Sequence, residues 1–434
     1  MKWSKYNIFF NSTKYSCYLL YNMLSGFFIE VDEILANKIF NIKNDSQAIK
    51  ELSDEEVKIF TENKILVESD DVELNKLKVA ILANRFDSRN MHLTIAPTQS
   101  CNFKCKYCFE KDRPNKYMNK SIEASIVNFV KKKNINKLNV CWYGGEPLLA
   151  KGTIRSLTKE LKHIIYKYNA SIVTNGYLLD EDFIMELDEL NIKYIQITLD
   201  GNKDTHNYRR PHETDNNSFD NIVKNIQSLI RLKPRIQLSI RVNVDKQNIN
   251  EFADVYKLIK AISSNIHIYP GFVHDTSTSC NLSPCLLNRN EKNNFYKKLY
   301  SQHGIYIKEM IPQLTQSSCM ARQLNSFLID PNGNLYKCWH HLGVSDKIVG
   351  NICSEQTFYN YDLIAQYLLK RSIADYTECN QCKYFIVCGG GCPDLKFIEK
   401  NNESYCSIFK NNITSYLEMK YAYLMKKQQT NDRI

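Results

Sequence analysis

Between about residues 90 and 305, short β-branched or aromatic runs alternate with longer stretches whose apolar residues recur every three to four positions. The runs His92–Pro97, Lys137–Tyr143, Ala170–Thr174, Tyr194–Leu199, Gln237–Val244 and Asn265–Phe272 predict strands. The stretches Ser121–Lys133, Thr153–Tyr166, Glu181–Leu190, Phe219–Leu232, Ile249–Ile262 and Arg289–Tyr300 predict helices. Repeated βα units imply a parallel sheet with right-handed crossovers. The fold class expected is therefore α/β, a partial and open (β/α)6 barrel with its chemistry at the C-terminal strand ends.

Different patterns flank this region. Lys5–Ser12, Tyr15–Tyr21 and Phe27–Val31 suit short strands, and Glu33–Phe40 suits a helix. A second helix is expected to open at Ser53, where Ser53-x-x-Glu56 fits a capping box ahead of Val57, Phe60 and Ile65. Residues 1–75 thus read as a small α+β, winged-helix-like module, with the charged stretch Glu68–Lys76 as its exit. Over 315–410 the periodicity fades and cysteines take over, as in a region held by metal rather than by a large apolar core. Within 411–434, Asn411–Lys426 predicts a closing helix through Ile413, Leu417, Tyr421 and Leu424.

A chain of 434 residues, 43% hydrophobic, is long enough for two or three domains. Its formal charge of +10 is spread along the chain and reads as a solvated lysine-rich surface. No recognition helix or stacking module accompanies that charge, so a nucleic-acid partner is not expected. Lys5 and Lys14 interrupt the opening segment, and no apolar run reaches the length of a membrane span. A cytoplasmic protein without a membrane partner is expected. In such a reducing compartment, 15 cysteines at tight spacing point to metal or catalysis rather than disulfides.

Cys101, Cys105 and Cys108 stand in CNFKCKYC, just after the first strand of the alternating region. Three thiolates from one loop can wrap one face of a [4Fe–4S] cube and leave one iron open, since cluster irons ordinarily take four cysteines. A zinc site is the alternative, although zinc favours paired CxxC units with a closed fourth ligand. Gly144-Gly145-Glu146-Pro147 follows the second strand; a glycine pair there permits close backbone approach to a ligand, or is a plain turn. Thr174-Asn175-Gly176 ends the third strand, and Thr198-Leu199-Asp200-Gly201 ends the fourth, followed by His206 and Arg209-Arg210. Farther on, Cys319 is followed by thirteen residues, Gly333, four residues and Cys338. Cys379-x2-Cys382-x5-Cys388-x3-Cys392 and Cys406 come later. On spacing alone this tail holds either clusters or two zinc ions. Cys17 and Cys141 read as small buried hydrophobes.

CNFKCKYC resembles the signature of the radical SAM superfamily, and GGEP and TLDG with the following histidine and arginines appear in that superfamily's order. The resemblance covers about 90–410. It implies that Cys101, Cys105 and Cys108 hold a [4Fe–4S] cluster whose open iron chelates S-adenosylmethionine. It further implies that Gly144, Gly145 and Glu146 hold the amino group of the methionine moiety, and that Thr198 and Arg210, or alternatively Arg209, help to bind the cofactor. Arg241 and Asn243 are expected within reach of it, Tyr107 and Gly271 near the adenine, and His206 outside catalysis. The cysteine tail resembles the SPASM extension, which carries two auxiliary [4Fe–4S] clusters. Cys379, Cys382, Cys388 and Cys406 would hold the outer one. Cys319, Cys338 and Cys392 would hold the inner one, with its fourth position open among Cys280, Cys285, Cys353, a substrate thiolate or none.

The resemblance implies an enzyme that receives one electron from a donor such as ferredoxin or flavodoxin, cleaves S-adenosylmethionine to a 5′-deoxyadenosyl radical, and takes a hydrogen atom from its substrate. SPASM-bearing relatives commonly modify peptides. The function implied is maturation of a ribosomally synthesised peptide, by a thioether or another crosslink, with residues 1–75 receiving the leader. The alternative is sulfatase-maturase-like oxidation of a cysteine or serine in a protein. In that branch an aspartate follows the second cysteine of the C…GxxxxC unit, where this chain has Trp339. His340 and His341 are the nearby candidates for a base. A non-catalytic iron–sulfur electron carrier would need the cysteines but neither GGEP, TLDG nor the βα units.

Overall fold

A computed structural model describes residues 1–110, 114–274, 285–315, 319–369, 379, 381–394 and 406–431. The chain opens with β1 (Lys2–Trp3), β2 (Asn7–Ser12), β3 (Cys17–Asn22) and β4 (Phe28–Val31), then α1 (Glu33–Asn44), α2 (Asp54–Glu62), β5 (Leu66–Val67) and α3 (Asp70–Arg85). The Ser53–Glu56 capping box is formed at the start of α2. The stretch read as an exit is instead helical. Asp70, Asp71 and Glu73 stand in the first turn of α3, where negative charge stabilises the N-terminal end of the helix dipole.

Six βα units follow. Strands β6 (Asn90–Ile95), β7 (Lys137–Trp142), β8 (Lys167–Thr174), β9 (Ile192–Thr198), β10 (Gln237–Val244) and β11 (His267–Phe272) are interleaved with helices. These are α4 (Lys120–Lys132), α5 (Lys151–Ile164), α6 (Glu181–Glu186), α7 (Lys203–Arg209), α8 (Ser218–Leu232) and α9 (Phe252–Ile262). Helix α10 (Arg289–His303), strands β12 (Ser326–Ile329), β13 (Asn334–Tyr336) and β14 (Gly350–Asn351), and helices α11 (Tyr361–Leu368), α12 (Phe385–Cys388) and α13 (Ile413–Asn431) complete the chain.

The larger of two compact units comprises 85–288 and 318–370. Its sheet runs β11-β10-β9-β8-β7-β6-β12-β13-β14. Strands β6 to β11 are parallel in sequence order, so the expected right-handed βα series builds an open sheet with two edges rather than a closed barrel. The region beyond 315 is more regular than its sequence suggests. Strand β12, whose four residues SFLI are all buried, pairs parallel to β6, and β13 and β14 continue antiparallel. Helix α8 shows how the crossovers are held. Phe219, Ile222, Ile226 and Leu229 recur at helical spacing and are all buried, each contributing about 1.5–3 kcal/mol on transfer from water.

The smaller unit is assembled from 1–84, 289–317 and 371–434. Leu20, Val31, Ile39, Ile42, Phe60 and Ile65 form the core of its N-terminal part. Helix α13 is fastened to that part: Ser12 Oγ donates to Glu418 at 2.7 Å, and the Tyr421 hydroxyl donates to Glu30 at 2.8 Å. The Tyr416 hydroxyl ties α13 to Asn293 of α10 at 2.7 Å. The first 75 residues therefore share one compact unit with α10 and α13.

Candidate functional site

The loop that leaves β6 runs through Thr98-Gln99-Ser100 into Cys101. Glu146 N donates to Ser100 O at 2.8 Å and Gly145 N to Thr98 O at 3.2 Å, so the turn after β7 lies directly on this loop. A Cβ on Gly145 would stand 2.1 Å from Ser100 O, and one on Gly144, at φ +109°, would stand 2.4 Å from Thr98 O. Only glycine leaves room for that approach. Glu146 is fully buried and turned inward. Its carboxylate accepts from Thr174 Oγ1 and Asn175 N, both at 2.7 Å, and from Leu148 N at 2.9 Å. Burial pushes its pKa up while these bonds oppose the rise. The carboxylate thus locks the ends of β7 and β8 together, and the backbone of the glycine pair is what the loop meets.

Cys101, Cys105 and Cys108 line one cavity of about 920 Å³, together with Glu110, Tyr117, Leu149 and Glu213 among others. Cys108 N donates to Cys105 O at 3.1 Å, giving the loop its tight turn. Lys104 N and Lys106 N donate to Pro211 O and Arg209 O, at 2.9 and 3.0 Å, which docks the loop on the chain leaving α7.

Tyr107 is the polar hub between that loop and the strand ends. Its hydroxyl donates to Asp200 and accepts from Asn243 Nδ2 at 2.8 Å and from Arg210 Nη1 at 3.1 Å. Asp200 is fully buried, and burial raises its carboxyl while Arg210 draws it back down. The adjacent arginines separate in role. Arg209 Nη1 bonds Asp245 at 2.8 Å, and its Nε stands 3.9 Å from Asp200. Arg210 makes no ion pair with a carboxylate among the described residues, and its buried Nε has no hydrogen-bond partner. A guanidinium only 6% exposed, without a carboxylate ion pair among the described residues and held by Tyr107 of the cysteine loop, is the environment an anionic ligand would complete. His206 is buried, accepts from Asp200 N through Nδ1, and is driven well below its usual pKa by burial, so it stays neutral.

Thr198, Arg241 and Gly271 lie close together at the ends of β9, β10 and β11. Thr198 is opposite Arg241, and Asn243 is opposite Gly271. Arg241 Nε donates to Asn243 Oδ1 at 2.8 Å, and a Cβ on Gly271 would meet that Nε at 2.3 Å. Gly271 is small because the Arg241 side chain crosses it. Asn243, Asp200 and Asp245 complete the polar network. Of these only Asp200, in TLDG, carried a strong sequence signal.

The later cysteines fall in both units. Cys319 is exposed and Cys338 half-buried in the larger one. Cys379, Cys382, Cys388, Cys392 and Cys406 are half-buried in the smaller one. Gly389, Gly390 and Gly391 all take positive φ, between 61° and 80°, and turn the chain between Cys388 and Cys392. Thr315 supports that turn, donating from N to Ile386 O at 2.8 Å and from Oγ1 to Val387 O at 2.9 Å. Cys285 Sγ is 3.5 Å from Gln247 Nε2, the exposed Cys353 Sγ is 3.5 Å from Ser125 Oγ, and Cys280 lies outside the described residues. Trp339 stacks on Tyr143 with centroids 4.5 Å apart and donates from Nε1 to Thr94 Oγ1 at 3.0 Å. His340 meets Phe109 edge to face at 5.2 Å. His341 is buried, with Nε2 3.5 Å from the Tyr367 hydroxyl, which is a packing position. Burial pushes Cys141 up to about 11, in keeping with an inert thiol.

Residues 95–259 match the model of the Radical SAM superfamily. A cysteine-type anaerobic sulfatase-maturating enzyme of Clostridium novyi is 24% identical over 382 residues, covering 77% of this chain and 99% of that protein. A serine-type anaerobic sulfatase-maturating enzyme of Klebsiella aerogenes is 23% identical, covering 70% and 79% respectively. The structure of native anSMEcpe with bound AdoMet and Cp18Cys peptide is similar, with TM-score 0.62, 21% identity, and 79% of this chain and 99% of that one covered. The structure of Streptococcus suis SuiB bound to precursor peptide SuiA is also similar, with TM-score 0.52, 15% identity, and 94% and 98% covered. Among the described residues, no helix is long and apolar enough to cross a membrane.

Proposed function

We propose that this chain, which belongs to the radical SAM superfamily and works with S-adenosylmethionine and [4Fe–4S] clusters, modifies a side chain of a peptide or protein. Within that reading Cys101, Cys105 and Cys108 hold the cluster, the Gly144–Gly145 backbone borders the ligand, and Arg210 receives its carboxylate. The observation that carries it is a loop whose three thiols line one cavity and whose Tyr107 holds a buried arginine that no carboxylate among the described residues ion-pairs with. When bound there, the cofactors supply reductive cleavage of the sulfonium and removal of a hydrogen atom from the substrate. The protein orients the ligand through Arg210, holds Arg210 through Tyr107, and keeps His206 neutral behind Asp200.

Two substrate chemistries are open to such a site, and Trp339 separates them. Oxidising a cysteine or serine to an aldehyde needs a base. The residue after Cys338 is an indole fixed on Tyr143 and Thr94, and it offers none. We therefore favour formation of a thioether or another crosslink in a peptide over sulfatase-type oxidation. The 94% coverage of this chain by a fold seen with its precursor peptide supports a leader-binding role for the N-terminal strands β2 to β4, where an extended peptide can add to a sheet edge. The sulfatase maturases among the relatives support the rival reading, with His340 as its base.

The test is anaerobic reconstitution, with iron and sulfide counted and 5′-deoxyadenosine followed after reduction by a one-electron donor such as flavodoxin. About twelve irons (three cubanes) with cleavage of S-adenosylmethionine are expected. Zinc in place of iron, or full clusters without cleavage, would end the enzymatic reading. With a cysteine-containing peptide, mass spectrometry then decides the chemistry. A product that keeps its sulfur and lacks two hydrogens indicates a crosslink, and a product that has lost its sulfur indicates the maturase reaction.

A further inference from the structure

A lysine with no exposed surface ordinarily has an anion beside it. Lys337 is fully buried, yet it forms no ion pair with a carboxylate among the described residues. Its Nζ donates to two neutral carbonyls, Gln323 O and, at 2.8 Å, Ser326 O. The Phe327 ring stands 4.5 Å from the ammonium. Since an ammonium carries three donors, one remains beyond these two carbonyls.

The two carbonyls belong to segments that matter. Gln323 closes the turn that begins at Cys319, through Arg322 N to Cys319 O at 3.0 Å and Gln323 N to Met320 O at 3.1 Å. Ser326 opens β12, and its hydroxyl fixes the Gln323 side chain at 2.7 Å. Lys337 itself follows β13 and immediately precedes Cys338. One side chain therefore joins the Cys319 turn to the strand that delivers Cys338.

We propose that Lys337 is a positioning residue for the inner auxiliary cluster, clamping the Cys319 turn against the Cys338 strand. This rests on reading Cys319 and Cys338 as cluster ligands. Net charge, hydrogen bonding and solvent exposure set the potential of such a centre. Loosening the clamp changes the hydrogen bonding and exposure around the centre, and so shifts that potential.

The experiment uses the full chain, reconstituted anaerobically, as wild type, Lys337→Gln and Lys337→Met. Iron content and the midpoint of each centre are measured by paramagnetic resonance during a reductive titration. Lys337→Gln keeps N–H donors on a shorter side chain, so one auxiliary midpoint should shift while the other two centres stay as in wild type. Lys337→Met loses donors and charge, so about four irons, one cubane, should be lost selectively. Selective loss of one centre from Lys337→Gln as well would also support the clamp. Unchanged midpoints in Lys337→Gln, or full iron and unchanged midpoints in Lys337→Met, would overturn the proposal. So would loss of iron from every centre with a lowered melting temperature in both variants, because Lys337 would then serve the fold at large. A Cys319→Ala/Cys338→Ala double variant keeps the two readings apart. If it holds wild-type iron, the cluster assignment fails rather than the role of the lysine.

Discussion

Replacing Gly145 by alanine should separate the cysteine loop from the turn it rests on. The new Cβ would stand 2.1 Å from Ser100 O and 2.5 Å from Gln99 O. Ordinary contact begins at 3.4 Å, so the loop must move by 3.4 − 2.1 = 1.3 Å. Both obstacles are backbone atoms, which cannot swing aside as a side chain would. The strain is that of overpacking, about 1–3 kcal/mol. The larger effect is on geometry, because the displaced residues lead straight into Cys101. A misplacement of about 1 Å costs on the order of 100-fold in rate at a site that works by orientation. Cleavage of S-adenosylmethionine should therefore fall about 100-fold, while the irons bound farther along the chain remain. Gly152→Ala is the matched control. It lies within α5 with nothing inside 4 Å of its new Cβ, and should gain about 0.5–1 kcal/mol. If Gly145→Ala cleaves at the wild-type rate with full iron, the packing of this turn on the cysteine loop has no functional weight.

Other perturbations probe the surrounding network. Arg209→Met leaves the buried Asp245 without its cation and should destabilise the chain by about 3–5 kcal/mol in urea unfolding; a loss under about 1 kcal/mol would argue against a buried ion-pair role. Tyr107→Phe removes the hydroxyl shared by Asp200, Asn243 and Arg210, at a cost of about 1–3 kcal/mol, and should raise the KM for S-adenosylmethionine; an unchanged KM would detach Arg210 from ligand binding. The Arg155 guanidinium, bonded at 2.6 and 2.7 Å, holds the Glu186 carboxyl below its usual value. Because this folded-state pKa is depressed, the stability it brings is present above the ordinary glutamate value and is lost as the pH falls through the depressed one. The pair is partly exposed, so this amounts to at most about 1 kcal/mol. Glu186→Gln should flatten melting temperature against pH on the acid side, and an unchanged slope would leave the pair without energetic weight.

The six βα units were legible because each strand and crossover repeats its own period over enough residues to be seen. Helix α7 was not, since its seven residues KDTHNYR carry no apolar stripe and are set by the Asn202 cap and the turn after β9. Strand β12 was hidden by its length of four residues, and it belongs to the sheet only through its pairing with β6. At the site, the cysteine loop and the glycine pair announce themselves in sequence because local geometry demands them. The division of labour between Arg209 and Arg210 does not. It depends on Asp245, 35 residues beyond Arg210 in the chain, reaching one guanidinium and not the other. Lys337 gave no signal either, since a lysine among polar neighbours reads as surface until its burial is seen.

The fastening of α13 onto the first strands has a consequence for how the protein comes into being. Ser12 and Glu418 are 406 residues apart, and Tyr421 meets Glu30 across 391. During synthesis strands β2 to β4 emerge well before α13 and wait for it through the whole parallel sheet. Until then Tyr21 and Phe28 lack Lys420, whose ammonium later lies 4.9 Å from each ring. Contacts of such sequence separation form slowly and leave apolar surface open to aggregation meanwhile. A ribosome that stops short of residue 413 would release a chain with every strand of the parallel sheet and no lid for its beginning.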